Sequence, residues 1–239
     1  MKRKIITIVI MSITFLFCSC TKKNRVESLT FRLPSFSEIE LYNPFWVYLQ
    51  EDSLCSIEIV ANEDIIGDIS VEAEDHILKI RNESRLKMLT PTKNKIELYI
   101  NSPPLSRVTA QETCNINTLN PITSDEFGLI LKSKANEANL ELDCQNFYYW
   151  NNFPCGGKVI LSGTTDKLIL WNFALMAIDA KNVVTRYARV ENSSKGSCEV
   201  TVTEEIKYSI SNTGDIHLYG SPPIITELQV TSSGRLIQH

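Results

Sequence analysis

Apolar and polar residues alternate in short segments along most of the chain. In Ile57-Glu58-Ile59 and in Leu78-Lys79-Ile80 every second residue is apolar, which is the pattern of a β-strand with one buried face. Strands of this kind are predicted at Ile39–Leu41, Val47–Leu49, Ile57–Val60, Val71–Ile80 and Ile96–Ile100. No segment combines a sustained helical period with capping residues, so we predict an all-β protein.

A degenerate motif recurs in the C-terminal half. Each copy has small polar residues, a glycine, and then apolar residues at alternate positions, and the copies lie at 162–170, 195–200, 211–220 and 232–237. Gly196, Gly214 and Gly234 of the last three copies are 18 and 20 residues apart, a period typical of stacked β-coils. Because each coil of such a repeat buries its apolar face only against its neighbours, we predict a β-solenoid.

The glycines are distributed unevenly. Eight of the nine lie at or beyond residue 128. Glycine suits tight turns because it accepts positive φ without a Cβ penalty. We therefore place the regular coils at 105–237 and a less regular group of N-terminal strands at 36–104.

One interval between glycines is longer than a single coil. Gly163 and Gly196 are 33 residues apart, close to two coils, so one turn between them lacks glycine. We predict that Asp179–Asn182 forms that turn, with Asn182 in the left-handed conformation.

The N-terminus has the features of a bacterial export signal. Basic residues at 2–4 precede an apolar run at 5–17 that is too short to span a bilayer, and Ser19 stands directly before Cys20. The arrangement resembles the lipobox of bacterial lipoproteins, whose cysteine receives diacylglycerol and becomes the new N-terminus. We predict that Cys20 is lipidated; a plain secretory signal is the alternative.

These features divide the chain into a signal peptide at 1–19, a lipid-anchored tether at 20–35 and a single domain at 36–239. Several acyl chains at Cys20 would anchor the protein firmly to a membrane. Thr21 rather than Asp follows Cys20, which by resemblance to known lipoprotein sorting implies transfer to the outer membrane of a Gram-negative cell. The domain then faces either the periplasm or the exterior.

Composition excludes one class of partner. Of 24 basic residues, three lie in the signal peptide, which leaves 21 against 28 acidic residues and a mature net charge of −7. Nucleic-acid binding requires clustered Lys and Arg, and none is present beyond the short run at 22–25. We therefore expect no nucleic-acid partner.

An odd number of cysteines follows Cys20. They are Cys55, Cys114, Cys144, Cys155 and Cys198. No pair has the C-x-x-C spacing of zinc or redox sites. Cys198 occupies the position of Ile216 and Leu236 in later coils, so we predict a small buried residue there. A loop-closing disulfide between Cys144 and Cys155 is left open.

Residues that carry catalysis or bind metals are sparse. The three histidines, His76, His217 and His239, have no metal-ligand spacing, and we expect each to be a surface residue, with His239 disordered. The acidic segment Glu72–Asp75 lacks the converging oxygens that calcium requires. We predict no catalytic centre, no metal and no cofactor.

The segment Asn146–Phe153 contains four consecutive aromatic residues. Side chains alternate between the two faces of a strand, so two of the four must point outward. We predict a binding patch at Tyr148, Tyr149, Trp150 and Trp171. Structural packing, a protein or homo-oligomer contact, and glycan binding are the three interpretations of this patch.

Three segments resemble a known family. They are Val71–Ile80, an acidic hairpin; Ile96–Leu105, a strand followed by Pro-Leu; and Ile210–Pro223, with Gly214-Asp215-Ile216 and Leu218-Tyr219-Gly220. They resemble the bacterial putative auto-transporter adhesins with a head GIN domain, over about residues 36–237. The resemblance implies a right-handed parallel β-helix and an adhesive role in the cell envelope.

We hypothesise a lipid-anchored envelope protein that binds protein or glycan without catalysis. The first alternative is a polysaccharide lyase or hydrolase on a β-helix, which would need charged residues aligned in a groove. Its candidates are Asp215, Glu199, Lys167 and Arg235. The second alternative is a purely structural periplasmic component.

Overall fold

A computed structural model describes residues 25–84, 95–151 and 153–239; the predicted signal peptide and Cys20 lie outside them. The strands are β1 (Val26–Arg32), β2 (Glu38–Leu41), β3 (Phe45–Glu51), β4 (Ser56–Asn62), β5 (Ile69–Glu74), β6 (Ile77–Asn82), β7 (Glu97–Ser102), β8 (Arg107–Ala110), β9 (Cys114–Thr118), β10 (Glu126–Leu131), β11 (Ala135–Trp150), β12 (Gly156–Ser194), β13 (Cys198–Ile210), β14 (Ile216–Tyr219), β15 (Ile224–Val230) and β16 (Leu236–Gln238). A single 3-10 turn, Ile66–Asp68, is the one helical element described. Within the described ranges no helix is long and apolar enough to cross a membrane. The all-β prediction is confirmed.

Two parallel β-ladders run along the molecule. Ladder A contains, in spatial order, β6, β2, β8, β10, the C-terminal part of β11, segments of β12, the C-terminal part of β13, and β15. Ladder B contains β7, β3, β9, the N-terminal part of β11, segments of β12, the N-terminal part of β13, β14 and β16. The long strands β11, β12 and β13 turn a corner and belong to both ladders. The result is a β-solenoid of about six turns, as predicted.

Spatial order and sequence order differ at the N-terminal end. β2 lies between β6 and β8, and β3 lies between β7 and β9, so the later coil β6–β7 stacks outside the first coil. Antiparallel strands then close this end, because β5 pairs with β6, β4 with β7, and β1 with β4. Parallel coils therefore begin at β2, inside the segment that we expected to be less regular.

Strand β1 lies in the segment predicted to be a tether. Val26–Arg32 pairs antiparallel with Ser56–Asn62 along its whole length. Residues 26–32 are therefore part of the sheet. Most side chains of β1 are exposed, so this strand lacks the apolar alternation that identified the others.

Alternate residues of each strand fill the inside of the solenoid. Leu41 lies between Ile80 and Ala110 in ladder A, and Leu131 follows one coil further on. All four side chains are fully buried. Burial stabilises the fold by about 1.5–3 kcal/mol for each large aliphatic side chain, which is why the alternating pattern persists from coil to coil.

The glycines with the predicted period stack on one another. Strand partners in β13 and β14 are 18 residues apart, and those in β14 and β16 are 20 apart, which matches the spacing of Gly196, Gly214 and Gly234. None of the three has positive φ. A Cβ on Gly214 would lie 2.1 Å from the carbonyl oxygen of Gly196, so glycine is required there by close backbone approach. The period is confirmed, but the conformational reason we expected is wrong.

The turn between Gly163 and Gly196 does not lie where we predicted. Asn182 has no positive φ and lies inside β12, where the register shifts between Ala180 and Val184. The left-handed residue is Ala174, with φ of 66°, whose carbonyl accepts a hydrogen bond from the Lys195 N–H at 2.8 Å. Alanine is not a residue type typical of left-handed turns, so the sequence did not indicate a turn at Ala174.

The five described cysteines are free thiols, so no bridge joins Cys144 and Cys155. Cys198 is fully buried, as predicted. Asn172 Nδ2 lies 3.4 Å from its sulfur. Burial raises the pKa of the Cys198 thiol to about 12, which suits a packing residue and not a nucleophile.

Candidate functional site

The alternation of β11 separates the predicted aromatic patch into inner and outer residues. Phe147 and Tyr149 point into the solenoid, while Tyr148 and Trp150 point outward. Tyr149 is 0% exposed, so it cannot belong to a surface patch. The Tyr148 ring occupies the space above Gly128 of the neighbouring coil.

The outward tryptophans lie in register one coil apart, where ladder A turns towards ladder B. Trp150 pairs with Trp171. Phe153 makes an edge-to-face contact with Trp150, with ring centroids 6.2 Å apart. Phe173 is 42% exposed and Leu175 is 59% exposed. We call these five residues the aromatic edge.

The aromatic edge borders a cleft of about 280 Å³. Trp150, Trp171 and Phe173 form its apolar side, and Glu191 and Ser193 of the following coil form its polar side. Glu191 accepts a hydrogen bond from Arg189 Nε at 2.8 Å. Ser193 is hydrogen-bonded to the Ser211 hydroxyl on the next coil. Glu191 and Ser193 are thus already hydrogen-bonded, and the unpaired Asn172 Oδ1 of the cleft wall is buried, so the exposed surface of the cleft is mainly apolar.

A buried asparagine ladder fixes the turns behind the aromatic edge. Asn151 donates to the Phe173 carbonyl at 3.1 Å and accepts from the Phe173 N–H at 2.8 Å. Asn172 donates to Asn192 Oδ1 at 3.1 Å, and Asn192 donates to the Gly214 carbonyl at 3.0 Å. Because these amides hold the backbone of successive turns, they position the aromatic side chains beside them.

Our sequence reasoning missed this ladder, although the sequence contained a signal for it. The dipeptide Trp-Asn occurs at 150–151 and again at 171–172, one coil later. Strand pairing of β11 with β12 has the same offset, since Trp150 lies opposite Trp171. The repeat therefore sets the coil register in the interval that has no regularly spaced glycine.

The histidines differ partly from expectation. His217 is outward, between the buried residues Ile216 and Leu218, as predicted. His239 is ordered, against our prediction, because its N–H donates to the Leu218 carbonyl at 3.0 Å. Its ring stacks on Tyr219, with centroids 4.5 Å apart, and its Nε2 lies 2.9 Å from His217 Nδ1.

The acidic, histidine and cysteine side chains in the described part of the chain are the candidates for a metal site, and four charged residues are the candidates for catalysis. There, no three His, Cys, Asp or Glu side chains are grouped to hold a metal ion. Of the four candidates for catalysis, Asp215 accepts from the Arg235 N–H, while Glu199 accepts from the Tyr219 hydroxyl. Lys167 lies on ladder A, paired with Asn146, away from the other three.

Several solved structures resemble the fold. A putative adhesin from Bacteroides fragilis has a TM-score of 0.79 at 18% identity, covering 90% of this chain and 97% of that chain. A putative adhesin from Parabacteroides distasonis has a TM-score of 0.61 at 14% identity, with 91% and 98% covered. A putative lipid binding protein from the same organism has a TM-score of 0.59 at 18% identity, again with 91% and 98% covered. At these identities the likeness establishes the fold alone.

The family assignment rests on the sequence itself. No curated protein matches the chain. Residues 35–222 match the family described as putative auto-transporter adhesin, head GIN domain, and so confirm the resemblance drawn from the three segments. Since this match covers most of the chain, the protein belongs to the family of putative auto-transporter adhesins with a head GIN domain.

Proposed function

We propose that this chain is a lipid-anchored cell-envelope protein of the adhesin type, which binds a protein ligand through the aromatic edge without catalysing a reaction. The observation that carries the proposal is the group of five outward apolar side chains on adjacent turns. Exposed apolar groups of this kind mark sites of protein contact on soluble domains. The family description agrees with a binding role.

The chemistry of the cleft favours protein over glycan at this site. A sugar offers many hydroxyl groups, which need unpaired donors and acceptors at the binding site. Here Glu191 and Ser193 are already hydrogen-bonded and the unpaired Asn172 Oδ1 is buried, while the exposed Phe173 and Leu175 offer only apolar surface. Aromatic residues are enriched at protein interfaces, where they supply most of the binding energy.

The anchor is part of the proposal. Lipid at Cys20 would hold the N-terminal end of the solenoid near the membrane, because the six residues from Cys20 to Val26 extend to at most roughly 20 Å. Replacing Cys20 with Ser should abolish incorporation of radiolabelled palmitate and release the protein from the membrane fraction. Continued palmitate labelling of the Cys20→Ser variant would show that the lipid is attached to another residue, and it would contradict the predicted lipobox.

Site-specific photocrosslinking tests the aromatic edge. A photoreactive phenylalanine analogue at Phe173 should form a protein adduct on intact cells, and Trp171→Ala should abolish that adduct. The matched control is the same analogue at Leu119, which is 53% exposed and lies on the turn that leaves ladder B. An adduct of equal yield from both positions, or one insensitive to Trp171→Ala, would contradict binding at the aromatic edge.

A further inference from the structure

A second groove lies on the outer face of ladder B. Adjoining cavities of about 420 and 250 Å³ share Asn115 and Glu137 in their walls. Trp46 lines the first cavity, and Asn117 and Asn139 line the second. We call these five residues the ladder B groove. Strand pairing brings them together, since Trp46 lies opposite Asn115, which lies opposite Glu137.

One end of the ladder B groove is aromatic. Trp46 is 42% exposed, and Lys95 Nζ lies 4.7 Å from the centre of its ring. On the same outer face, the rings of Tyr48 and Tyr99 stack with centroids 4.7 Å apart and an interplanar angle of 13°. The exposed Trp46 ring offers flat apolar surface to the apolar face of a sugar ring, and the half-buried tyrosine pair lies on the same face.

The other end offers amide groups. Asn115 Nδ2 donates to Glu137 Oε2 at 2.8 Å, and Asn117 Nδ2 donates to Asn115 Oδ1. Asn139 is exposed, and within the described residues its side chain makes no hydrogen bond. Each amide has two donor hydrogens and an oxygen with two lone pairs, so this row retains capacity for further hydrogen bonds. A hydroxyl-rich ligand matches that capacity.

The charges of this face decide which glycans fit. Glu137, Glu141 and Asp143 are exposed on the same face of β11. The nearby Lys158 is paired with Asp179, at 2.9 Å between Nζ and Oδ2. Lys95, which lies over the Trp46 ring, is paired with Glu97. The exposed carboxylates of β11 therefore leave this face negative, and it repels uronic or sulfated chains.

We propose that the ladder B groove binds a neutral glycan. The aromatic end supplies stacking surface, and Asn115, Asn117 and Asn139 bind the hydroxyl groups. This site is separate from the aromatic edge: it lies on earlier coils, and its amide side chains lie on the outer face of the strands. The protein thus has two binding surfaces for ligands of different chemistry.

An oligosaccharide array followed by titration calorimetry tests the ladder B groove. The probes are immobilised fragments of β-glucan, mannan and xylan, with polygalacturonate and alginate as the anionic counterparts. The wild-type protein should bind at least one neutral probe and neither anionic polymer. Trp46→Ala should weaken that binding about tenfold or more, as for the loss of an aromatic contact residue. Asn139→Leu should weaken it about fivefold, as for one lost hydrogen bond.

Controls keep the two surfaces distinct. Trp150→Ala alters only the aromatic edge and should leave glycan affinity unchanged. Trp46 and Asn139 are both exposed, so we expect both variants to have the melting temperature of the wild type. If the melting temperature of Trp46→Ala is lowered, the glycan affinity of Asn139→Leu alone tests the proposal. Three results would overturn the proposal: no neutral probe bound, tighter binding of the anionic polymers, or undiminished binding by the ladder B variants.

Discussion

The stacked glycines of the last coils give the sharpest test of the fold. Gly214 lies between the turns that contain Gly196 and Gly234, and its N–H donates to the Ser194 carbonyl at 3.1 Å. Gly214→Ala adds a single methyl group at this point. Because Gly214 has no positive φ, any effect of alanine arises from contact and not from backbone conformation.

The distances set the size of the effect. The new Cβ would lie 2.1 Å from the Gly196 oxygen and 2.7 Å from the Ser194 oxygen. Both atoms are backbone atoms, so no side chain can rotate to relieve the contact, and the two coils must separate by about 1 Å. Overpacking of this kind costs about 1–3 kcal/mol, and weakened hydrogen bonds to the displaced turn add about 1 kcal/mol. We expect a total loss of about 3 kcal/mol in the free energy of unfolding.

Thermal unfolding followed by circular dichroism measures this loss. For a domain of this size, about 3 kcal/mol lowers the melting temperature by roughly 6–12 °C. The control is Gly67→Ala, because a Cβ at Gly67 meets no atom within 4 Å. That variant should match the wild type or exceed it slightly. Equal melting temperatures for Gly214→Ala and Gly67→Ala would refute the close-approach explanation.

Three further variants or measurements follow from the same structure. Asn192→Ala removes the donor to the Gly196 and Gly214 carbonyls, so the free energy of unfolding in urea should fall by about 2–4 kcal/mol. An unchanged urea midpoint would contradict a stabilising role for the asparagine ladder. Burial raises the pKa of Cys198 from 9.0 to about 12. Iodoacetamide at pH 8 should therefore label this thiol only in unfolded protein, and rapid labelling of the native protein would contradict its burial. Because the unfolded state loses the thiol proton at lower pH, the free energy of unfolding should decline as pH rises from 9 towards 12. Ala174→Gly relieves a left-handed alanine and should raise the melting temperature by a few degrees, since that conformation costs about 1 kcal/mol; a lower melting temperature would show that the turn is not strained.

The sequence revealed those features that repeat along the chain. Alternation identified the buried strands because each coil must direct every second side chain inward, as Leu41 and Ile80 do. The spacing of Gly196, Gly214 and Gly234 gave the coil length because the backbones of neighbouring turns come into contact there. Both signals are local or periodic, so a single sequence contains them.

Features that depend on which coils become neighbours could not be predicted. The apolar pattern does not specify that β2 stacks between β6 and β8, nor that β1 covers the edge of β4. Trp46 and Glu137 are far apart in sequence and share no motif, so the ladder B groove appears only after folding. Tyr149 was placed in the surface patch because sequence alternation shows that two of four aromatic residues point outward but not which two.

We propose that the cell displays the solenoid on its outer surface for adhesion, and protease treatment of intact cells tests this proposal most directly. The protein would be detected by immunoblot before and after treatment, with a periplasmic protein as the control for envelope integrity. We predict that the protein is lost from intact cells while the periplasmic control survives. Protection of the protein until the outer membrane is permeabilised would contradict the claim, since it would confine the aromatic edge to partners inside the envelope.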